Sequence, residues 1–226
     1  MNALQHLDSE APIDLAALAD RFFACFPKMN AEGRKVFVVL YRELSLGGPV
    51  SAEQVAQRAG VSLHRVNALL DAVPAVYREE GKVIGFWGLT VRPLSKHRFH
   101  TGNRTLYTWC AWDALFIPMI LGKTAYVESE DAHTGAPIRL TVTPDRVEAV
   151  APRSTVVSML EPREDMMADV VTRLCHYIHF FASEASGRAW TKKHPGTVLL
   201  SLEDAFELGR RTNRMRYGEA LQLNDS

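Results

Sequence analysis

The spacing of apolar residues changes from helical to strand-like part-way along the chain, which divides it into a helical first portion and a strand-rich second one. Leu15, Leu18, Phe22 and Phe26 recur at helical spacing between Ile13 and Phe26, and Pro27 follows as a stop signal. A second helix is expected from about Glu32 to Leu46, with Val36, Val39, Leu40 and Leu44 on one face and Gly47-Gly48-Pro49 ending it. In VSAEQVAQRAGVSLHRVNALLDAV, Ser51 and Ser62 are placed to cap two short helices on either side of a turn at Gly60. VYREEGKVIGFWGLTV then reads as two strand runs about a Glu-Gly turn. Together these make a helix-turn-helix with a hairpin wing.

From Phe99 onward, LYTWCAW, TAYVES, IRLTVTP and VSML read as strands, with turn signals at His133-Thr134-Gly135 and Thr143-Pro144-Asp145. A helix is expected after Arg163, through Met167, Val170 and Val171, leading into LCHYIHFFAS and a polar segment with Trp190. The last helix should run from Leu202 to about Arg216. Pro93 to Arg104, basic and polar, is the expected boundary between a winged-helix-like lobe (1–92) and a core (93–226).

Composition excludes several classes of partner. The 26 basic and 26 acidic residues cancel, so no global field draws the chain to nucleic acid or to an anionic membrane. A winged helix commonly binds DNA, and Arg34 to Arg92 holds eight Arg and Lys against five Asp and Glu. That excess is small, and the second short helix offers only His64, Arg65 and Asn67 as outward polar groups, so the lobe reads as structural rather than DNA-reading. The opening MNALQHLDSEAP is unlike a secretory signal. The longest apolar stretch, Ala114 to Leu121, has eight residues and contains Pro118. A bilayer needs about 20, so a cytoplasmic location is expected. In that reducing setting the three cysteines are free thiols rather than a disulfide framework.

Cys25, among Phe22, Phe23 and Phe26, reads as a buried small hydrophobe. Cys110 and Asp113 are three apart in YTWCAWDALFIP, so a helical turn beginning there puts thiol and carboxyl on one face. A helix N-terminus at Cys110 would favour its thiolate. In RLCHYIHFFAS, a strand would set Cys175, Tyr177 and His179 on one face and His176 on the other. Two thiols and a carboxyl could ligate zinc, but zinc prefers four ligands with closely paired cysteines, which this chain lacks. Separated thiolates suit a soft metal of low coordination number better, with the carboxyl as an acid.

The segments LYTWCAWDALFIPMILGKTAYVES, HTGAPIRLTVTP, CHYIHFFAS, AWTKKHPG and SLEDAFELGRRTN resemble the bacterial organomercurial (alkylmercury) lyases, in order and separation, from about residue 85 to 214. PVSAEQVAQRAGVSLHRVNALLD is similar to that family's N-terminal helical lobe. The resemblance implies an α+β fold in which a winged-helix-like lobe packs on a core of antiparallel sheets with flanking helices. It also implies a catalytic and mercury-binding set of Cys110, Asp113 and Cys175, with Tyr107 and Trp109 shaping the pocket. Many relatives carry a further cysteine where this chain has His176, so that thiol is dispensable here.

The implied reaction is protonolysis. A thiol passes its proton to Asp113 and attacks the mercury of an organomercurial, the second thiolate joins, and Asp113 returns the proton to carbon. Asp113 must then hold a proton well above a carboxylate's reference pKa of about 3.9, toward which burial and a neighbouring thiolate both push. No organic cofactor is implied, since no glycine-rich phosphate loop occurs. External low-molecular-weight thiols and a mercuric reductase are the implied transient partners. The competing class is a metal-responsive DNA-binding regulator sensing soft metals through the same cysteines, against which the retained aspartate argues.

Overall fold

A computed structural model describes residues 13–222. The N-terminal helices are α1 (Leu15–Cys25), α2 (Ala31–Leu44), α3 (Ala52–Ala59) and α4 (Leu63–Asp71), close to the expected bounds. Their ends follow the sequence chemistry. Ser51 forms a capping box with Gln54 on α3, Gly60 ends that helix at φ +64°, and the Ser62 hydroxyl accepts from the Arg65 N–H on α4.

The wing is β1 (Val76–Glu79) and β2 (Lys82–Phe86), turning at Glu80-Gly81. It does not stand alone. With β3 (Leu89–Thr90), β4 (His97–Thr101), β5 (Arg104–Thr108), β6 (Ala125–Glu130), β7 (Pro137–Val142) and β8 (Val147–Ala151) it forms an antiparallel eight-stranded sheet, ordered β1-β2-β3-β5-β4-β6-β7-β8. A three-stranded sheet places β9 (Val156–Leu160) between β10 (Phe180–Phe181) and β11 (Thr197–Ser201). The fold is α+β, as the resemblance implies.

Packed against β4, β5 and β7 of the larger sheet and against α2 lies α5 (Ala111–Leu121), of which every residue but Met119 is buried. A helix apolar on all sides can only be a core helix. α8 (Leu202–Tyr217) crosses it closely at Gly209, where a Cβ would stand 2.6 Å from Phe116 Cβ. Trp112 Nε1 donates to the Ala205 carbonyl and Asn213 Nδ2 to the Phe116 carbonyl, both at 2.9 Å, which fixes the two helices in rotation.

Two expectations need correction. LYTWCAW is a strand only as far as Thr108, where the chain turns into α5. LCHYIHFFAS is not a strand through Cys175: after α6 (Val170–Arg173) comes a 3-10 turn at Cys175–Tyr177, and only Phe180–Phe181 pair in a sheet. Local bonds win here, with the N–H groups of Leu174, Tyr177 and Ile178 donating to the carbonyls of Val170, Leu174 and Cys175 at 3.0 Å each. The expected alternation is therefore absent, and Cys175 is buried while Tyr177 and His179 are half-buried. The polar segment around Trp190 carries α7 (Glu184–Thr191). Among the described residues no helix is long and apolar enough to cross a membrane.

Gly209→Ala should test the α5–α8 contact. Alanine gains about 1 kcal/mol of intrinsic helix propensity, yet overpacking costs about 1–3 kcal/mol, and the backbone-proximal Phe116 Cβ cannot swing aside. A lower urea midpoint is expected, and a higher one would show that the approach is not tight.

Candidate active site

Cys110 is the N-cap of α5, and Asp113 is the third residue inside the helix. This is capping-box geometry, in which the carboxyl reaches back so that Oδ2 accepts the Cys110 backbone N–H at 2.9 Å. The C-x-x-D spacing thus fixes the acid against the thiol. Cys175 arrives from the other side, because the Ala111 N–H donates to the Ile178 carbonyl at 3.3 Å and ties the 3-10 turn to the start of α5. Both sulfurs and a carboxylate oxygen lie within 4.8 Å of one another, and all three residues are buried. The structure brings together the three predicted residues.

Burial governs their ionisation. It raises Asp113 from 3.8 to about 7, against opposing hydrogen bonds from the Cys110 thiol and N–H and the charge of Arg216. The neutral Cys110 thiol lowers Asp113 through its hydrogen bond, while the repulsion expected between a thiolate and the carboxylate shows in Asp113 raising Cys110. Cys110 is raised well above the ordinary thiol value by burial first, then by its hydrogen bond with Cys175 and by Asp113. For Cys175 the bond from Cys110 lowers the value, but burial and Asp113 outweigh it and leave it raised. The thiolate expected of a helix N-terminus is therefore not the resting form, since desolvation overcomes the helix end. Each thiol needs an acceptor for its proton.

The acid is covered by a turn that sequence reasoning passed over. β2 and β3 pair Phe86 with Leu89, leaving Trp87-Gly88 as a two-residue hairpin loop in which both φ are positive, +35° and +100°. Positive φ is unfavourable for tryptophan. It is held by the Tyr41 hydroxyl donating to the Trp87 carbonyl at 2.6 Å and by the Phe26 ring, 5.1 Å away centroid to centroid. A Cβ on Gly88 would stand 2.4 Å from Asp113 Oδ1, so the absent side chain is the space the carboxyl occupies. The Trp109 N–H donates to the Gly88 carbonyl at 2.9 Å, joining turn and site. A short FWGL link between two strand runs was the available signal.

A narrow cavity opens onto the three groups, walled by Phe26, Trp87, Trp109, Trp112 and Phe116 and closed by α6 and Arg216. Trp109 stands where the resemblance put it. Tyr107 does not: it alternates with buried Leu106 and Thr108 on β5, faces the other side of the sheet, and lines a surface groove with Lys96, Arg98 and Glu128. Cys25 is half-buried at the end of α1, away from the site, its pKa raised by burial and by Glu164 and Asp165. His179 Nε2 donates to the His176 carbonyl at 2.7 Å, and neither histidine lines the cavity.

A family model for alkylmercury lyase matches residues 89–213. The chain belongs to the alkylmercury lyase family. It is 40% identical to the alkylmercury lyase of Staphylococcus epidermidis over 84% of this chain and 87% of that one. With the Pseudomonas putida alkylmercury lyase it shares 45% identity over 77% and 81%. Among solved structures, the mercury-bound form of MerB2 matches with a TM-score of 0.70 at 25% identity, over 89% of this chain and 98% of that one. The matched span of the family model contains Cys110, Asp113 and Cys175 together with Gly88's neighbour Leu89, while Phe26 and Trp87 lie ahead of it.

Asp113 makes stability depend on pH with a definite sign. The folded chain keeps a proton to about pH 7 that the unfolded chain releases near 3.8, so stability falls as pH rises between those values and is level above them. Asp113→Asn carries no such cost. Relative to the native chain it should gain about 1–4 kcal/mol at alkaline pH, progressively less as pH falls from 7 to 3.8, and nothing below 3.8, read from urea midpoints across pH. A difference independent of pH would refute the raised carboxyl.

Proposed function

We propose that the chain cleaves the carbon–mercury bond of organomercurials by protonolysis, with Cys110 and Cys175 as mercury ligands and Asp113 as proton carrier. The observation that carries this reading is the shared burial of two thiols and a carboxyl that titrates near neutrality, all within 4.8 Å.

Atoms and charges balance in a short sequence. Asp113, as carboxylate, takes the proton of one thiol, and that sulfur bonds to the mercury of R–Hg–X as X departs. The second thiol then adds to the same mercury without displacing a further group, its proton leaving with the departed X as HX. The electron-rich three-coordinate mercury makes the bound carbon more basic, and Asp113 delivers its proton there. R–H leaves, and Hg(II) stays between Cys110 and Cys175. Raised thiol pKa values fit this order, because the protons remain until an acceptor within the cluster takes them. The apolar walls exclude water, which leaves Asp113 as the nearby donor.

No organic cofactor enters this scheme. External low-molecular-weight thiols would draw Hg(II) off the protein, and a mercuric reductase would consume it. Free cysteines fit a reducing compartment such as the cytoplasm. A DNA-binding regulator fits less well: Arg65, the basic residue of α4, is paired with Glu32 of α2, and a metal sensor has no need of a buried acid beside its thiols.

Asp113→Asn keeps shape and removes the transferable proton. Binding of phenylmercury should survive while benzene release falls by at least about a hundredfold under excess thiol. Retention of most of the rate would exclude Asp113 as the proton carrier. Cys25→Ser, by contrast, should leave benzene release nearly intact, and a loss matching that of Cys110→Ser would overturn the assignment of the two ligands.

A further inference from the structure

Ser158 is the only polar residue of β9, set in the apolar run VVSML, and it is fully buried. A hydroxyl taken out of water is costly unless its donor and acceptor roles are both used. Here they are. Ser158 Oγ donates to the Tyr177 carbonyl at 2.8 Å and accepts the His179 N–H at 2.9 Å, and the Ser158 backbone N–H donates to the His179 carbonyl at 3.0 Å. One residue thus grips the chain on both sides of Ile178.

Ile178 is the link between the two thiols. Its N–H donates to the Cys175 carbonyl at 3.0 Å and closes the 3-10 turn, while its carbonyl accepts from Ala111, the residue after Cys110, at 3.3 Å. That second bond is long for an N–H donor and makes a weak tether by itself. The turn brings little support of its own, since α6 ahead of it has four residues. The three bonds from Ser158 are shorter, and they come from the central strand of its sheet, flanked by β10 and β11. We propose that Ser158 is a positioning residue for Cys175, its hydroxyl holding the turn at the distance from Cys110 that one mercury can span. The proposal rests on the lyase reading and adds to it the residue that sets the gap between the ligands. Without the hydroxyl, the Tyr177 carbonyl and the His179 N–H lose their partners in a buried place and the turn must shift to find others. Cys110 and Asp113, fixed to each other by the capping box of α5, stay where they are.

Retention of Hg(II) separates this role from a merely structural one. Hg(II) is added as mercuric chloride to one equivalent, and free cysteine is titrated in until half is withdrawn. In S158A the cysteine midpoint should fall at least about tenfold, as expected when two tethered ligands no longer act together. Leu200 is buried on β11, across β9 from the turn, so L200A should lower the urea midpoint as S158A does yet leave Hg(II) retention near that of the wild-type chain. Unchanged retention in S158A, or an equal loss in L200A, overturns the proposal. Should S158A fail to fold, amide exchange in the wild-type chain decides: if the hydroxyl holds turn and helix as one unit, the His179 and Ala111 N–H groups open with the same protection factor. Exchange at His179 at least about tenfold faster than at Ala111 overturns the clamp. Neither readout needs turnover. If organomercurials released no hydrocarbon while S158A still lost Hg(II), the lyase reading would fall and the role of Ser158 would stand.

Discussion

Removing the start of α5 from water is the constraint on which the rest of this structure depends. A helix that is buried on nearly every side cannot expose its N-terminal N–H groups to solvent, so they must be satisfied from within the protein. Asp113 does part of this by accepting from the Cys110 N–H, and the same burial lifts its carboxyl into the neutral range. One physical cause therefore both caps a core helix and makes an acid. The two thiols are subject to the same desolvation and stay protonated at rest. Leaving that state would require something that compensates for losing the protons.

How much of this could be read in advance depended on how local the determinants were. The capped helices α3 and α4 and the Cys110–Asp113 pairing rest on contacts three or four residues apart, and their spacing in the chain is their geometry. Cys175 was assigned by resemblance, although its backbone was misjudged. Alternating residues in LCHYIHFFAS fit a strand, but Asp169 capping α6 through the Thr172 N–H, and the turn bonds that follow, took the backbone first. Tyr107 failed for a related reason: proximity to Cys110 in sequence says nothing about sheet face, and the residue between Leu106 and Thr108 must point away from the buried side. Phe26, Trp87 and Arg216 reach the cavity from α1, a hairpin and the last turn of α8, and no spacing rule links them.

Ionisation was the other point at which local reasoning fell short. A cysteine at a helix N-terminus ordinarily gains thiolate character from the helix end, a contribution of about 0.3–1 kcal/mol at an exposed site. Full burial opposes it with a larger cost for the charged form. The comparison of these two magnitudes decides the resting protonation of the site. Cys25, at the other end of a helix and half-buried, is raised by the same effect without partners to act on.

The Trp87-Gly88 turn ties the reach of the acid to parts of the chain remote from it. The carboxyl fits because one residue lacks a side chain, and that residue sits under positive φ because a tryptophan beside it is held by the Tyr41 hydroxyl from α2 and the Phe26 ring just beyond α1. The helices ahead of the sheet are thus a jig for the Asp113 carboxyl. Inheritance follows the same lines: the strand that ends at Thr108 and the hairpin that covers it must change in step with residues sixty or more positions earlier in the fold's packing, such as Phe26 against Trp87, or the Asp113 carboxyl loses its seat while both thiols remain.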